Sequence, residues 1–125
     1  MKGLCDMARV LVVDDSNIYR FSMSEILENT GHIIIGEAKN GQEAVESYKE
    51  LHPDVVTMDV TMPEKDGFEA LKEILEFDAG AKVIMVSATV DQSILSEALI
   101  QGAYDILVKP FDPEQVLLTL NGLTF

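Results

Sequence analysis

Short apolar runs and stretches of helical spacing alternate along this chain. Val10-Leu11-Val12-Val13, Ile33-Ile34-Ile35, Val55-Val56-Thr57-Met58, Val83-Ile84-Met85-Val86 and Ile106-Leu107-Val108 are continuous and mostly β-branched. Runs of this kind suit strands covered on both faces, as in a parallel sheet flanked by helices. The segments between them repeat at three and four residues. Ile18, Ser22, Ile26 and Leu27 align on one helical face, as do Ala44, Val45, Tyr48 and Leu51. Phe68, Leu71, Ile74 and Leu75 repeat the pattern, followed by Leu95, Ala98 and Leu99, then Val116, Leu117 and Leu120.

Helix-ending and helix-starting residues fall where this alternation needs them. Ser16 or Asp15 can cap the first helix and Gly31 can end it. Asn40-Gly41 leads into the second, which His52-Pro53 closes. Asp66 can cap the third, with Gly80 beyond it, and Asp91 can cap the fourth, with Gly102 after it. Asp112-Pro113 supplies a cap and a first-turn proline for the fifth. Five strand–helix repeats joined by short loops predict an α/β chain of (βα)5 type. Its parallel strands, linked by helical crossovers, imply an open, doubly wound sheet with helices on both faces. Nothing resembling a linker, an internal repeat or a low-complexity tract interrupts the pattern.

Length and charge narrow the field. At 125 residues the chain suits one compact domain, and 47% apolar residues are enough for its core. Cys5 has no cysteine partner, so a disulfide framework is not expected and a reducing compartment fits better. The start is too polar for a signal-peptide core, and no apolar run is long enough to span a bilayer. The expectation is a cytoplasmic protein without membrane insertion. With 9 basic and 22 acidic residues, the formal net charge is −13. A surface this negative repels phosphate backbones, which argues against direct nucleic-acid binding.

In doubly wound sheets ligands sit at the carboxyl ends of the strands, where strand order reverses. There the first strand ends in Asp14-Asp15, the third in Asp59, the fourth in Ser87 and the fifth in Lys109. Taken singly, each has an ordinary reading: the acidic pair as a helix cap, Asp59 as a turn residue, Ser87 as a loop hydroxyl, Lys109 as a solvated strand end. Their joint placement on one rim is what singles them out. Neighbouring strands lie about 4.8 Å apart, so three carboxylates would crowd if the first and third strands pair. Each like-charge pair at about 4 Å costs roughly 4 kcal/mol at an effective dielectric near 20. Such a cluster calls for a cation or for raised pKa values. Oxygen donors without His or Cys favour Mg²⁺, and Lys109 adds a further positive charge. A rim of this kind attracts a phosphoryl group while a carboxylate attacks phosphorus.

Ordered strings now carry a resemblance. Val10-Leu-Val-Val-Asp-Asp-Ser16, Met58-Asp-Val-Thr-Met-Pro-Glu-Lys-Asp-Gly67, Val86-Ser-Ala88, Gly102-Ala103 and Val108-Lys-Pro-Phe111 resemble the CheY-like receiver domain of two-component response regulators. The resemblance covers residues 8–122, leaving 1–7 as a short N-terminal extension. It implies a flavodoxin-like sheet of order 2-1-3-4-5. It also implies a signalling domain rather than an enzyme, catalysing only its own phosphorylation and dephosphorylation.

By the same resemblance, Asp59 matches the phosphoacceptor, supplied by the phosphohistidine of a histidine kinase or phosphotransfer protein. Asp14 and Asp15 match the pair that organises Mg²⁺, Asp15 directly and Asp14 through water, with Asp59 and the Thr61 carbonyl completing the protein shell. Ser87 matches the hydroxyl that turns toward the phosphoryl group, and Lys109 the cation that pairs with it. Ala88 matches a small residue beside the site, and Thr61 and Thr89 two small polar positions that leave it open to water. The Lys109–Pro110 bond becomes a cis candidate, against a base frequency of about 5%. Where the family usually places Tyr or Phe three residues before the lysine, this chain has Ile106, so a smaller repacking of Ile106 is expected to follow Ser87. The implied output surface is the fourth helix, fifth strand and fifth helix, to which Ile100 and Leu118 are candidate contributors. A stand-alone, chemotaxis-type regulator is the expectation, with a phosphorelay carrier or a receiver cut from a longer regulator as alternatives. Two other classes fit less well. A haloacid-dehalogenase-like phosphatase wants a second Asp where Thr61 stands, and a flavodoxin-like electron carrier wants a hydroxyl-rich phosphate loop where Asp14-Asp15 stands.

Overall fold

The computed structural model describes residues 7–123; the extension proposed for 1–7, apart from Met7, and Cys5 lie outside the described residues. Five strands and five helices alternate: β1 (Arg9–Val13), α1 (Asn17–Asn29), β2 (Ile33–Ala38), α2 (Gly41–Leu51) and β3 (Val55–Asp59), then α3 (Gly67–Phe77), β4 (Val83–Ser87), α4 (Gln92–Gln101), β5 (Asp105–Val108) and α5 (Pro113–Asn121). All strand pairs are parallel, and the sheet order is β2-β1-β3-β4-β5. The expected architecture is the observed one.

Alternating side chains along each strand divide the interior into two layers. Leu11, Val13, Val56, Met58 and Met85 face α2, α3 and α4 through Val45, Tyr48, Leu71, Ile74 and Ala98. Val10, Val12, Val55, Ile84, Val86 and Leu107 meet α1 and α5 through Met23, Leu27, Val116 and Leu120. β3 and β4 are buried at every residue, as continuous apolar runs predict for central parallel strands. The outer strands depart from that expectation. β2 is mostly half-exposed and Val108 of β5 is 50% exposed, because an edge strand has a neighbour on one side only.

Most helix ends follow the predicted chemistry. Ser16, Asn40, Asp66 and Asp91 each accept a backbone N–H from the first turn, and Asp66 with Glu69 forms a full capping box. Gly31 and Gly102 adopt the left-handed conformation past the ends of α1 and α4. Asp112 stands at the N-cap of α5 but makes no side-chain capping bond, so Pro113 alone marks that start.

The largest departure lies in α1. Periodicity pointed to Ile18, yet Ile18 is 78% exposed and the buried residues are Arg20, Met23 and Leu27. Arg20 takes the inward position because its guanidinium finds acceptors there. It donates to the Asp14 carbonyl at 2.7 Å, to Glu37 at 3.1 Å and to the Asn17 side chain. In α4, Ala98 is buried as expected, whereas Leu99 is 61% exposed.

Candidate functional site

Strand order creates the site. From β1 the chain moves outward to β2, then crosses back over β1 to form β3, so β1 and β3 are adjacent with a reversal between them. Val13 pairs with Met58, which puts Asp14 and Asp59 one residue further on, side by side at the rim. Asp14, Asp15 and Asp59 each offer a carboxylate oxygen, and these atoms all lie within 4.8 Å of one another. Asp14 and Asp59 are buried and Asp15 is exposed. The Lys109 ammonium reaches Asp14 at 2.8 Å and Asp59 at 3.4 Å from the end of β5.

These surroundings set the electrostatics. Burial pushes the Asp59 carboxyl up to about 6, the charge of Asp14 adds to the rise, and Lys109 opposes it. Burial works against the Lys109 ammonium, but hydrogen bonding to Asp14 and the charge of Asp59 outweigh it and hold its pKa above the usual lysine value. One ammonium against three carboxylates leaves the site an excess of negative charge. The site therefore fits a hard divalent cation on its donor chemistry: clustered carboxylate oxygens, partly open to solvent, with no nitrogen or sulfur ligand among them.

Not every predicted residue converges on Asp59. The Ser87 hydroxyl donates to the Thr89 carbonyl at 2.7 Å and accepts the Thr89 N–H at 3.2 Å, so it is engaged with the β4–α4 loop. Thr61 lies exposed on the β3–α3 loop. Ile106 is half-buried against the α3–α4 side of the core. With Val90, Val108, Pro110 and Phe111 it lines a cavity of about 410 Å³ between the β4–α4 loop, β5 and the start of α5. The Lys109–Pro110 bond is cis, as the resemblance implied.

Two supporting residues escaped the sequence reading. Arg20 fastens the Asp14 carbonyl, and so the acidic loop, from beneath. Tyr19 places its ring 4.1 Å from the Lys109 ammonium. Both lie on α1 at positions whose direction depends on where the helix starts, and periodicity had turned that helix toward Ile18.

A doubly wound α/β domain with a carboxylate cluster and a half-buried lysine at its switch point belongs to the class of phosphoryl-accepting or cation-binding α/β modules. Comparison with known proteins narrows that class. The sequence model of the response regulator receiver domain matches residues 10–121. Chemotaxis protein CheY of Thermotoga maritima is 50% identical over 116 residues, which cover 93% of this chain and 97% of that protein. Chemotaxis protein CheY of Bacillus subtilis is 50% identical over 113 residues, covering 90% and 94%. The CheX–CheY–BeF3–Mg complex of Borrelia burgdorferi contains a similar fold, with a TM-score of 0.86 at 42% identity over 89% of this chain and 84% of that one. The chain belongs to the response regulator receiver domain family. It is a phosphoacceptor signalling domain of two-component systems, and neither the phosphatase nor the electron-carrier reading is favoured.

Proposed function

We propose that Asp59 is the phosphoacceptor and that residues 8–122 form the switching unit. The observation that carries the assignment is Lys109 bridging Asp14 and Asp59 within a cluster of carboxylates. A carboxylate oxygen of Asp59 attacks the phosphorus of a donor phosphohistidine. The new O–P bond forms an acyl phosphate as the P–N bond breaks, and the imidazole leaves with the electron pair. Lys109 holds a phosphoryl oxygen by a charge-assisted hydrogen bond. Asp14, Asp15, Asp59 and the Thr61 carbonyl hold Mg²⁺, which when bound offsets the crowded negative charge and that of the phosphoryl group.

Ser87 transmits the change. To bond the phosphoryl group its hydroxyl must leave Thr89, freeing the β4–α4 loop. Ile106 then repacks, altering the cavity beside the β4–α4 loop, β5 and α5, and with it the surface where an output protein docks. The similar Thermotoga maritima and Bacillus subtilis proteins are chemotaxis proteins, which favours a chemotaxis-type regulator. Its donor is a histidine kinase or phosphotransfer protein. Among the described residues no helix is long and apolar enough to cross a membrane, and a cytoplasmic location suits a protein that meets such a kinase.

Mg²⁺-dependent labelling from a small phosphoryl donor tests the assignment. Wild type should take up one phosphoryl group and Asp59→Asn none. Undiminished labelling of Asp59→Asn would refute it.

A further inference from the structure

We propose that Tyr19 is a positioning residue for Lys109, its ring face holding the ammonium where a phosphoryl oxygen on Asp59 can meet it. The inference rests on the assignment of Asp59 as acceptor. Lys109 ends on a largely dehydrated ammonium, its side chain only 10% exposed. Asp14 at 2.8 Å and Asp59 at 3.4 Å occupy part of its surroundings, and the Tyr19 ring centroid at 4.1 Å occupies another. That separation lies well inside the roughly 6 Å range of cation–π attraction, which strengthens when the cation has lost water.

The ring is itself held in place. The Tyr19 N–H donates to the Ser16 hydroxyl at 3.3 Å, which fixes the residue in the first turn of α1. Its ring meets Phe111 edge-on, with centroids 5.7 Å apart. Phe111 is two residues beyond Lys109, so the contact ties the acidic-loop helix to the loop bearing the lysine. Position matters because the two carboxylates do not pull equally. Asp14 is the nearer partner, and an ammonium released from the ring would settle on Asp14 and away from the oxygen that receives phosphorus. The half-buried ring adds an attraction separate from that of the two carboxylates.

The test uses the full chain with Mg²⁺ and phosphoramidate as donor. Tyr19→Leu should lower the phosphorylation rate constant about fivefold to tenfold, the range expected from losing one partly desolvated cation–π contact. Tyr19→Met, close in volume and a good helix former, serves if the leucine variant folds poorly. Tyr19→Phe keeps the ring face and should stay within about twofold of wild type. Mg²⁺ affinity by calorimetry should change little in all of them, since Tyr19 is not a ligand. The Lys109 Hε resonances supply an independent readout: shifted upfield by the ring in wild type and Tyr19→Phe, and restored in the leucine and methionine variants. Wild-type rates in both non-aromatic variants, or a loss in Tyr19→Phe equal to that in Tyr19→Leu, would overturn the proposal. Wild-type label on a residue other than Asp59 would instead remove the reading beneath it, and the Hε shift would still judge the contact.

Discussion

Replacing Asp59 with Asn should stabilise the metal-free protein while abolishing its chemistry. Asp59 is 5% exposed, and its carboxyl is pushed up to about 6 by burial first and by Asp14 second, from an ordinary value of 3.8. A carboxyl whose pKa is higher folded than unfolded carries a stability cost wherever it must ionise. That cost is absent below the unfolded pKa, grows as pH rises between the two values, and is complete above about 6. Two units at 1.36 kcal/mol each set an upper limit of about 3 kcal/mol at neutral pH. Water at the rim and the imperfect fit of an amide beside Lys109 reduce the expected gain to roughly 1–2 kcal/mol. Urea unfolding at pH 7.5 in chelator should therefore show a higher midpoint for Asp59→Asn, with an unchanged slope. At pH 4.5 the linkage relation leaves about a third of the neutral-pH gap. Millimolar Mg²⁺ should narrow the gap from the other side by stabilising wild type more than the variant, which has lost one of the metal-holding carboxylates. An Asn variant less stable than wild type at pH 7.5, or a gap equal at both pH values, would refute the account of this site.

Three further substitutions probe the supports. Arg20→Ala leaves the Asp14 carbonyl without its buried donor and removes the partner of Glu37; it should cost about 2–4 kcal/mol in urea unfolding and weaken Mg²⁺ binding measured by calorimetry. Gly67→Ala would drive a methyl group into the Asp59 carbonyl oxygen, a backbone atom that cannot yield. A loss of about 3 kcal/mol or more is expected, together with slower labelling, because the loop that follows Asp59 must shift. Ser87→Ala gives up two bonds to Thr89 and should cost about 1 kcal/mol. Its phosphorylation should proceed, while the amide shifts that phosphorylation induces in α4 and at Ile106 should disappear from the NMR spectrum.

Backbone-level features were legible in the sequence wherever one local cause decided them. The strands followed from β-branched runs, and Asn40, Asp66, Asp91 and Gly102 fell where they begin or end helices. The rim was legible for the same reason, since each site residue stands at or just beyond a strand end, and parallel strands put those ends together. What periodicity missed depended on competition between distant groups. Leu27 and Ile26 of the expected α1 face do meet the core. Near the start of the helix, however, Arg20 turns inward in place of Ile18, because Asp14, Asn17 and Glu37, drawn from two other segments and its own first turn, supply acceptors there. Tyr19 was illegible in the same way, as its partners Lys109 and Phe111 lie some ninety residues along the chain.

The same crowding explains both halves of the switch. Carboxylates held within 4.8 Å of one another store repulsion that an added cation or a neutralised acceptor relieves. Lys109 answers only part of it, and it does so from the residue just after β5, a strand whose Ile106, Leu107 and Val108 line the cavity next to α5. A change of charge on Asp59 must therefore be felt by the residue that anchors β5 to the rim. In the proposed switch Ser87 would offer a second route along β4, whose residue Met85 pairs with Ile106. With Ile106 branched and short where an aromatic would swing, little rotation is available to it. The output surface is then expected to respond through shifts of the β4–α4 loop and of the Lys109–Phe111 segment, with ring-flip-sized motion excluded at position 106.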